Sequence, residues 1–282
     1  MGKRRIYAIG GLILLFFTAI FLWSEVLNTG FFEVTFFDIG QGDAAFVRTL
    51  QGQQIVIDGG PDTAILEKVA KEIPFWDKTI DLVILSHPAA DHMTGLIGVL
   101  EKYKVKNIVW NGIRKDTEIF KTWVRALERE KEEGAVVSIA RAPGKIPLES
   151  KGCAQFLDIL YPIDDIAGQV FIDDNDTAVV VRVVSCDYSV LFTGDLTATG
   201  EKQILQNAYN VHADVLKVGH HGSKTSSSQE FIEAVSPDVA VISSGQGNQY
   251  RHLYEEILAT LAKYGIEIRR TDEEGDISFL FK

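Results

Sequence analysis

The stretch "SHPAADH", residues 86–92, places His87, Asp91 and His92 within six positions, directly after the apolar run "DLVIL". Imidazole nitrogens and carboxylate oxygens gathered so closely suit zinc, manganese or iron better than calcium. The other histidines repeat the pattern. Of six in the chain, five (His87, His92, His220, His221 and His252) follow an expected strand or lie in a glycine-rich loop. Asp58 in "VIDGG" and Asp195 in "LFTGD" also end strands. A lone histidine would more often be a satisfied surface or core residue. Five at element ends, with carboxylates beside them, make a metal site the expectation.

Such side chains need elements to carry them. "FFEVTFFDIG", "AAFVRTL" and "QQIVIDGG" read as successive strands separated by glycine-bearing turns, and "TAILEKVAKEI" as an amphipathic helix. The strand "DLVILS" leads into the cluster. After it come strands "VKNIVWN", "AVVSIAR" and "AQFLDILYP", with the helix "DTEIFKTWVRALEREKEEG" between the first two. "TAVVVRVV" and "SVLFTGD" form a hairpin about "SCDY", while "ADVLKVGHHGS", "DVAVISSG" and "IEIRRTD" each pair with a helical segment. Strands interleaved with helices predict an α/β architecture of two sheets with helices outside them. With 46% apolar and 24% charged residues in 282, the chain buries a substantial core, and no repeat or low-complexity linker divides residues 31–282.

Residues 1–30 stand apart from that domain. From Ile6 to Trp23 the 18 residues carry no charge, and as a helix they reach about the thickness of a bilayer core. The expectation is a single-pass membrane anchor; a cleaved signal peptide is the rival, with an apolar stretch longer than usual and no small-x-small cleavage site in "WSEVLNTG". Lys3, Arg4 and Arg5 precede the run and Glu25, Glu33 and Asp38 follow it. That asymmetry leaves the N-terminus in the cytoplasm and the C-terminal domain outside the membrane.

Cys153 and Cys186 have no metal-site spacing. An outward-facing domain would allow them to join, and two buried thiols on neighbouring strands are the other reading. The formal charge of -11 gives no global basic footprint of the nucleic-acid-binding kind, so a phosphate-rich substrate would have to be held locally. The run "EREKEEG" is a solvated helix end.

Seven motifs in order resemble the metallo-β-lactamase superfamily, and within it the extracytoplasmic hydrolase domain of the ComEC/Rec2 competence proteins and their stand-alone relatives. They are "FFDIGQGDA", "VIDGG", "SHPAADH", "NDTAVVV", "LFTGD", "LKVGHHGSKTSSS" and "SSGQGNQYRH", spread over nearly all of residues 33–270. The resemblance implies an αββα sandwich, here preceded by the transmembrane helix, with the metal centre at the sheet edges. It also implies ligand roles. Asp91, His92 and one of His220 or His221 look like ligands of one ion, Asp195 like a bridge to a second, and His87 like a ligand of that second ion. Asp58 resembles a carboxylate that holds the ligand loop, and Asp43 and Gln41 residues that shape the site floor. Asp91, Asp195 and His252 are the catalytic candidates, and Ser223 and Lys224 lie in a loop expected to ring the metals. For "SKTSSS" the structural reading is a helix cap, with Glu230 at capping-box spacing from Ser227.

The sequence departs from that pattern at several positions. Ala89 stands where the group carries Asp and the wider superfamily His, Asn175 stands where a third-motif histidine would be, Thr94 replaces a glycine, and "YRHLY" departs from "YGHPH". The second metal position is therefore thin. The implied activity is metal-dependent hydrolysis of a phosphodiester outside the membrane, with zinc or manganese as cofactor, one ion tight and a second weaker. DNA in competence is the implied substrate, and a chain with one membrane helix would need a separate pore protein. Another extracytoplasmic phosphodiester, of the wall-polymer or phosphocholine type, and a non-catalytic binding protein with a degenerate metal centre are the alternatives.

Overall fold

Two mixed sheets of seven strands each make up the core of the computed structural model, which describes residues 2–28, 30–245 and 254–282, with side chains of residues 7–21 only in the first segment. One sheet contains β1 (Phe32–Phe36), β2 (Ala44–Arg48), β3 (Gln54–Gly59), β4 (Thr79–Ile84), β5 (Lys104–Trp110), β6 (Val136–Ile139) and, last in the chain, β14 (Ile277–Phe281). The other contains β7 (Gly144–Pro147), β8 (Gln155–Tyr161), β9 (Val180–Ser185), β10 (Tyr188–Phe192), β11 (Val215–Lys217), β12 (Val239–Ile242) and β13 (Glu267–Arg270). Helix α1 is Gly2–Asn28, followed by α2 (Ala64–Glu72), α3 (Ala90–Lys102), α4 (Glu118–Glu132), α5 (Ala198–Gln206), α6 (Gln229–Val235), α7 (Glu255–Lys263) and the short α8 (Thr271–Glu274).

Period-two alternation sorts each strand between two apolar layers. In β3, Ile55 and Ile57 face the opposite sheet with Val47, Ile84, Val181, Val190 and Phe192, while Val56 turns outward to Ile65, Met93, Leu96 and Trp123 of α2, α3 and α4. A strand covered on both faces reads as an unbroken apolar run, which is why "QIVI" and "DLVIL" lack polar alternation. The second sheet does the same, burying Leu191 and Leu216 against Ile204 of α5 and Phe231 of α6. The layers are therefore helix, sheet, sheet, helix.

Strand direction decides where the titratable groups collect. β3, β4 and β5 run parallel, as do β10, β11, β12 and β13. The loops after β3, β4, β10, β11 and β12 meet along one edge of the sandwich, joined there by the bond from Val179 N to Ser86 O at 2.8 Å.

Two features differ from the sequence expectations. β7 and β14 are strands that the sequence reading did not assign. Asp91 and His92 sit in the first turn of α3, a helix the sequence reading did not assign, whose Met93, Leu96 and Leu100 are buried. Of the two readings of the cysteines, the joined one holds: Cys153 and Cys186 form a disulfide with Cα atoms 5.1 Å apart, both in turns outside the strands rather than as thiols on adjacent strands. For α1, every described side chain from Tyr7 to Phe21 is exposed. Among the described residues no helix is long and apolar enough to cross a membrane. The expected span, Ile6 to Trp23, extends past the described side chains at both ends.

Candidate metal centre

Asp58 ends β3 in a left-handed conformation, φ 56°, a position that aims its carboxylate at the loop after β4. Its Oδ1 accepts from Ser86 N at 2.7 Å and its Oδ2 from Ser86 Oγ at 2.7 Å. The same Oδ2 lies 2.8 Å from His92 Nδ1. Ser86 Oγ, having given its hydrogen to Asp58, faces His87 Nδ1 at 3.0 Å as an acceptor. Both imidazoles thus carry their proton on Nδ1 and present Nε2 as a lone-pair donor.

Those two nitrogens point at Asp195, which follows β10 after Gly194. A Cβ at Gly194 would lie 2.9 Å from Ser86 Cβ, so glycine lets the two loops meet. Asp195 Oδ2 is 3.4 Å from His92 Nε2, 3.8 Å from His220 Nε2 and 4.0 Å from His87 Nε2, and Oδ1 is 3.6 Å from His221 Nε2. His220 and His221 follow β11 with φ of 47° and 52°, a costly conformation for two successive residues with side chains, and one that turns both rings to the same carboxylate. His221 Nε2 is also 3.6 Å from Asp91 Oδ2. Its Nδ1 is held by Ser243 O at 3.0 Å and Asp43 Oδ1 at 3.2 Å. Asp43 in turn pairs with the buried Lys217, Oδ2 to Nζ 2.7 Å.

The chemistry of this donor set fits a divalent ion. His87 Nε2, His92 Nε2 and Asp195 Oδ1 are buried without a hydrogen-bond partner, a cost of about 1–3 kcal/mol each unless a cation takes them. Ligand atoms of His87, His92 and Asp195 lie within 4.8 Å of one another, and so do those of Asp91, His92 and His221. Electrostatics agree. Burial pushes the Asp195 carboxyl up, but His221 and His92 outweigh it and hold it well below the usual range. Burial opposes charge on His92 and His221 too, yet Asp195 and its fellow carboxylates raise the first well above the usual imidazole range and the second to about 9. His87, buried beside His92, is held low and stays neutral. A pocket of carboxylates that retains protons this strongly is one in which a dication replaces them.

The remaining expected residues divide. Asn175 opens a short 3₁₀ turn, its N–H donating to Asp173 and its carbonyl accepting from Ala178. Ser223 is buried in the loop after His221 with its hydroxyl 3.0 Å from Thr225 Oγ1, and Lys224 is exposed, its ammonium 5.5 Å from the Tyr254 ring centroid. His252 and Arg251 lie outside the described residues. The cap of α6 is Ser228, which accepts from Phe231 N, not Ser227. Ser227 and Ser228 donate their backbone N–H groups to the carboxylate of Glu201 on α5. Sequence reasoning missed Lys217, Ser86 and Glu201. A lysine inside the apolar strand "ADVLKV" is a signal for the first, since such a residue is buried only when paired.

Comparison with known proteins adds a family and several relatives. Residues 38–246 match the family described as Metallo-beta-lactamase superfamily. ComE operon protein 3 of Bacillus subtilis is 30% identical over 97% of this chain and 36% of its own length. Competence protein ComA of Neisseria gonorrhoeae is 32% identical over 91% of this chain and 35% of its own. The chain therefore spans about a third of the length of these curated relatives. Among solved structures, Igni18, a metallo hydrolase from Ignicoccus hospitalis, superposes with a TM-score of 0.57 at 16% identity, covering 90% of this chain and 100% of that one.

Proposed function

The chain belongs to the metallo-β-lactamase superfamily of hydrolases, and we propose that it is a metal-dependent phosphodiesterase working outside the cytoplasmic membrane. The observation that carries the reading is the convergence of four imidazole Nε2 atoms on one buried carboxylate, Asp195, two of them with no hydrogen bond of their own. Asp91, His92, His221 and Asp195 would hold one zinc or manganese ion tightly. His87 and Asp195 would hold a second more weakly, because Ala89 supplies no donor. A divalent ion in that position supplies a Lewis acid that polarises a phosphoryl oxygen and acidifies water towards neutrality. The chain's own residues do the rest. Asp58 and Ser86 set the tautomers of His87 and His92, and Asp43 with Lys217 orients His221. His220, with 20% of its side chain exposed, faces the open side where a substrate or leaving oxygen would lie.

Two observations support the outer location. A disulfide between Cys153 and Cys186 persists in oxidising compartments and is rare in a reducing cytosol. The exposed apolar side chains of α1, behind Lys3, Arg4 and Arg5, suit a membrane anchor with the domain outside. One relative is named a competence protein, and the motif resemblance to competence proteins favours DNA as the phosphodiester, with a separate pore protein providing passage.

The test is metal analysis of the purified full-length protein followed by turnover of single-stranded DNA, double-stranded DNA and bis-p-nitrophenyl phosphate. Cleavage that a chelator abolishes and added zinc or manganese restores is expected. A metal-loaded chain that cleaves none of the three overturns the phosphodiesterase reading.

A further inference from the structure

The end of the sandwich remote from the metal cluster exposes large apolar side chains that the catalytic reading does not use. β1 runs antiparallel to β2, and β2 antiparallel to β3, so β1 points the same way as β3 and β4. The ends of β3 and β4 carry Asp58, Ser86 and His87; their starts lie at the opposite end of the sheet. At the start of β1 stands Phe31, 39% exposed, and its neighbour Phe32 pairs with Phe281 near the end of β14, where Leu280 is 55% exposed. In the loop before β4, Phe75 and Trp76 are 81% and 59% exposed, their rings edge to face at 4.7 Å. β4 lies three places from β1 in the sheet, about 14 Å away at the usual strand spacing. The two apolar points thus define a face rather than a spot. Tyr188, at the start of β10 and 37% exposed, adds the second sheet's edge to it, its ring 4.6 Å from that of Phe281.

We propose that this face rests on a lipid surface, with Phe75 and Trp76 inserted among the headgroups. The occupant follows from α1, whose described apolar side chains, Leu12, Leu14, Phe16 and Phe17 among them, are exposed and whose last helical residue, Asn28, precedes Phe31 by three positions. Helix and aromatic face therefore arise at the same end of the domain. A tryptophan prefers the headgroup region, where its apolar body and its hydrated N–H are both satisfied, the phenylalanine beside it gains by leaving water, and a pair that exposed is a cost in water. The inference rests on reading α1 as a lipid anchor and adds an orientation to it. β4 is six residues long, so the metal edge stands at least about 20 Å from the bilayer, open to a substrate in the aqueous layer.

The test uses the full chain in phosphatidylcholine and phosphatidylglycerol vesicles, with the native disulfide intact and a nitroxide label on Trp76→Cys. Phe75→Cys serves as a second site, and Thr63→Cys, exposed after β3 at the metal edge, as the comparison. Labels at 75 and 76 are expected to lose collisions with a water-soluble nickel complex and keep those with oxygen, while the label at 63 stays open to nickel. A chain that floats with the vesicles but has equal nickel access at all three positions overturns the lipid face and leaves the aromatic end to a protein partner. A chain that does not float with vesicles overturns the anchor reading itself, and this inference with it.

Discussion

Asp195 offers both of its oxygens to imidazoles 3.4–4.0 Å away, so its removal takes away the group common to both candidate ion positions. Asp195→Ala is expected to lower turnover by more than about 100-fold and to release metal on dialysis, since even an outer partner of a ligand costs about 10–100-fold. The circular dichroism spectrum should not change, because the substitution removes a buried charge and no apolar contact. Near wild-type turnover would show that the cluster is not catalytic. Ala89 is more informative because its position does two jobs. It is the N-cap of α3 and makes no side-chain cap bond. Ala89→Asn should raise stability by about 0.5–2 kcal/mol through the missing cap without changing metal content. Ala89→Asp should do the same and also raise the bound metal from about one ion per chain towards two, a carboxylate restoring the third donor usual for a tightly held ion. Elemental analysis of both variants at matched metal concentration separates capping from ligation, and equal metal in the two would refute the account of the gap.

At the scale of elements, the site depends on how closely α3 approaches β3. A Cβ on Gly95 would lie 1.9 Å from Gly59 O and 2.5 Å from Asp62 O, both backbone atoms that cannot step aside. Gly95→Ala should therefore cost about 1–3 kcal/mol and, by lifting the start of α3, draw His92 off Asp58 and weaken metal binding. Gly98→Ala on the same helix meets only Leu66, at 3.3 Å, and should be neutral or stabilising by up to about 1 kcal/mol. Denaturation midpoints with metal titrations distinguish the two. The Lys217–Asp43 pair ties β11 to the loop after β1 in the same way. Asp43→Ala should cost about 3–5 kcal/mol because it strands a buried ammonium. The double variant Asp43→Leu, Lys217→Met should regain much of that stability but not the metal affinity, since His221 still lacks its carboxylate. Recovery of both in a calorimetric titration would show that the pair is structural only.

Across the whole molecule the disulfide and the candidate metal site lie at opposite ends. Cys186 turns the chain from β9 to β10, and Asp195 follows the far end of β10. Closing 33 residues of separation constrains the unfolded chain by about 3–4 kcal/mol in the chain-entropy picture. Cys153→Ser with Cys186→Ser should lower the melting temperature while leaving metal stoichiometry unchanged, and a loss of metal would mean that strain crosses the sheets. Topology is tested at this scale too. A C-terminal alkaline phosphatase fusion should be active and the matching cytoplasmic reporter dark; the reverse pattern places the domain inside.

Most of the layered fold was legible because apolar runs of the right length, separated by glycine turns, permit few arrangements once both faces of a strand are covered. β7 and β14 were not legible. "GKIP" is four residues with a proline, and "ISFLF" becomes a strand only by pairing with β1, a partner 249 positions away (Phe32 with Phe281). The sequence by itself determined which side chains could bind metal, since histidine and aspartate at strand ends are a matter of residue type and position. Tertiary structure alone decided which of them meet: that His221 Nε2 lies 3.6 Å from Asp91, that Asp58 meets His92 through Nδ1, and that Lys217 stands behind Asp43. Each is a contact between segments far apart in the chain, fixed by the directions in which two sheets bring their loops together. Spacing along one segment carries no information about those directions.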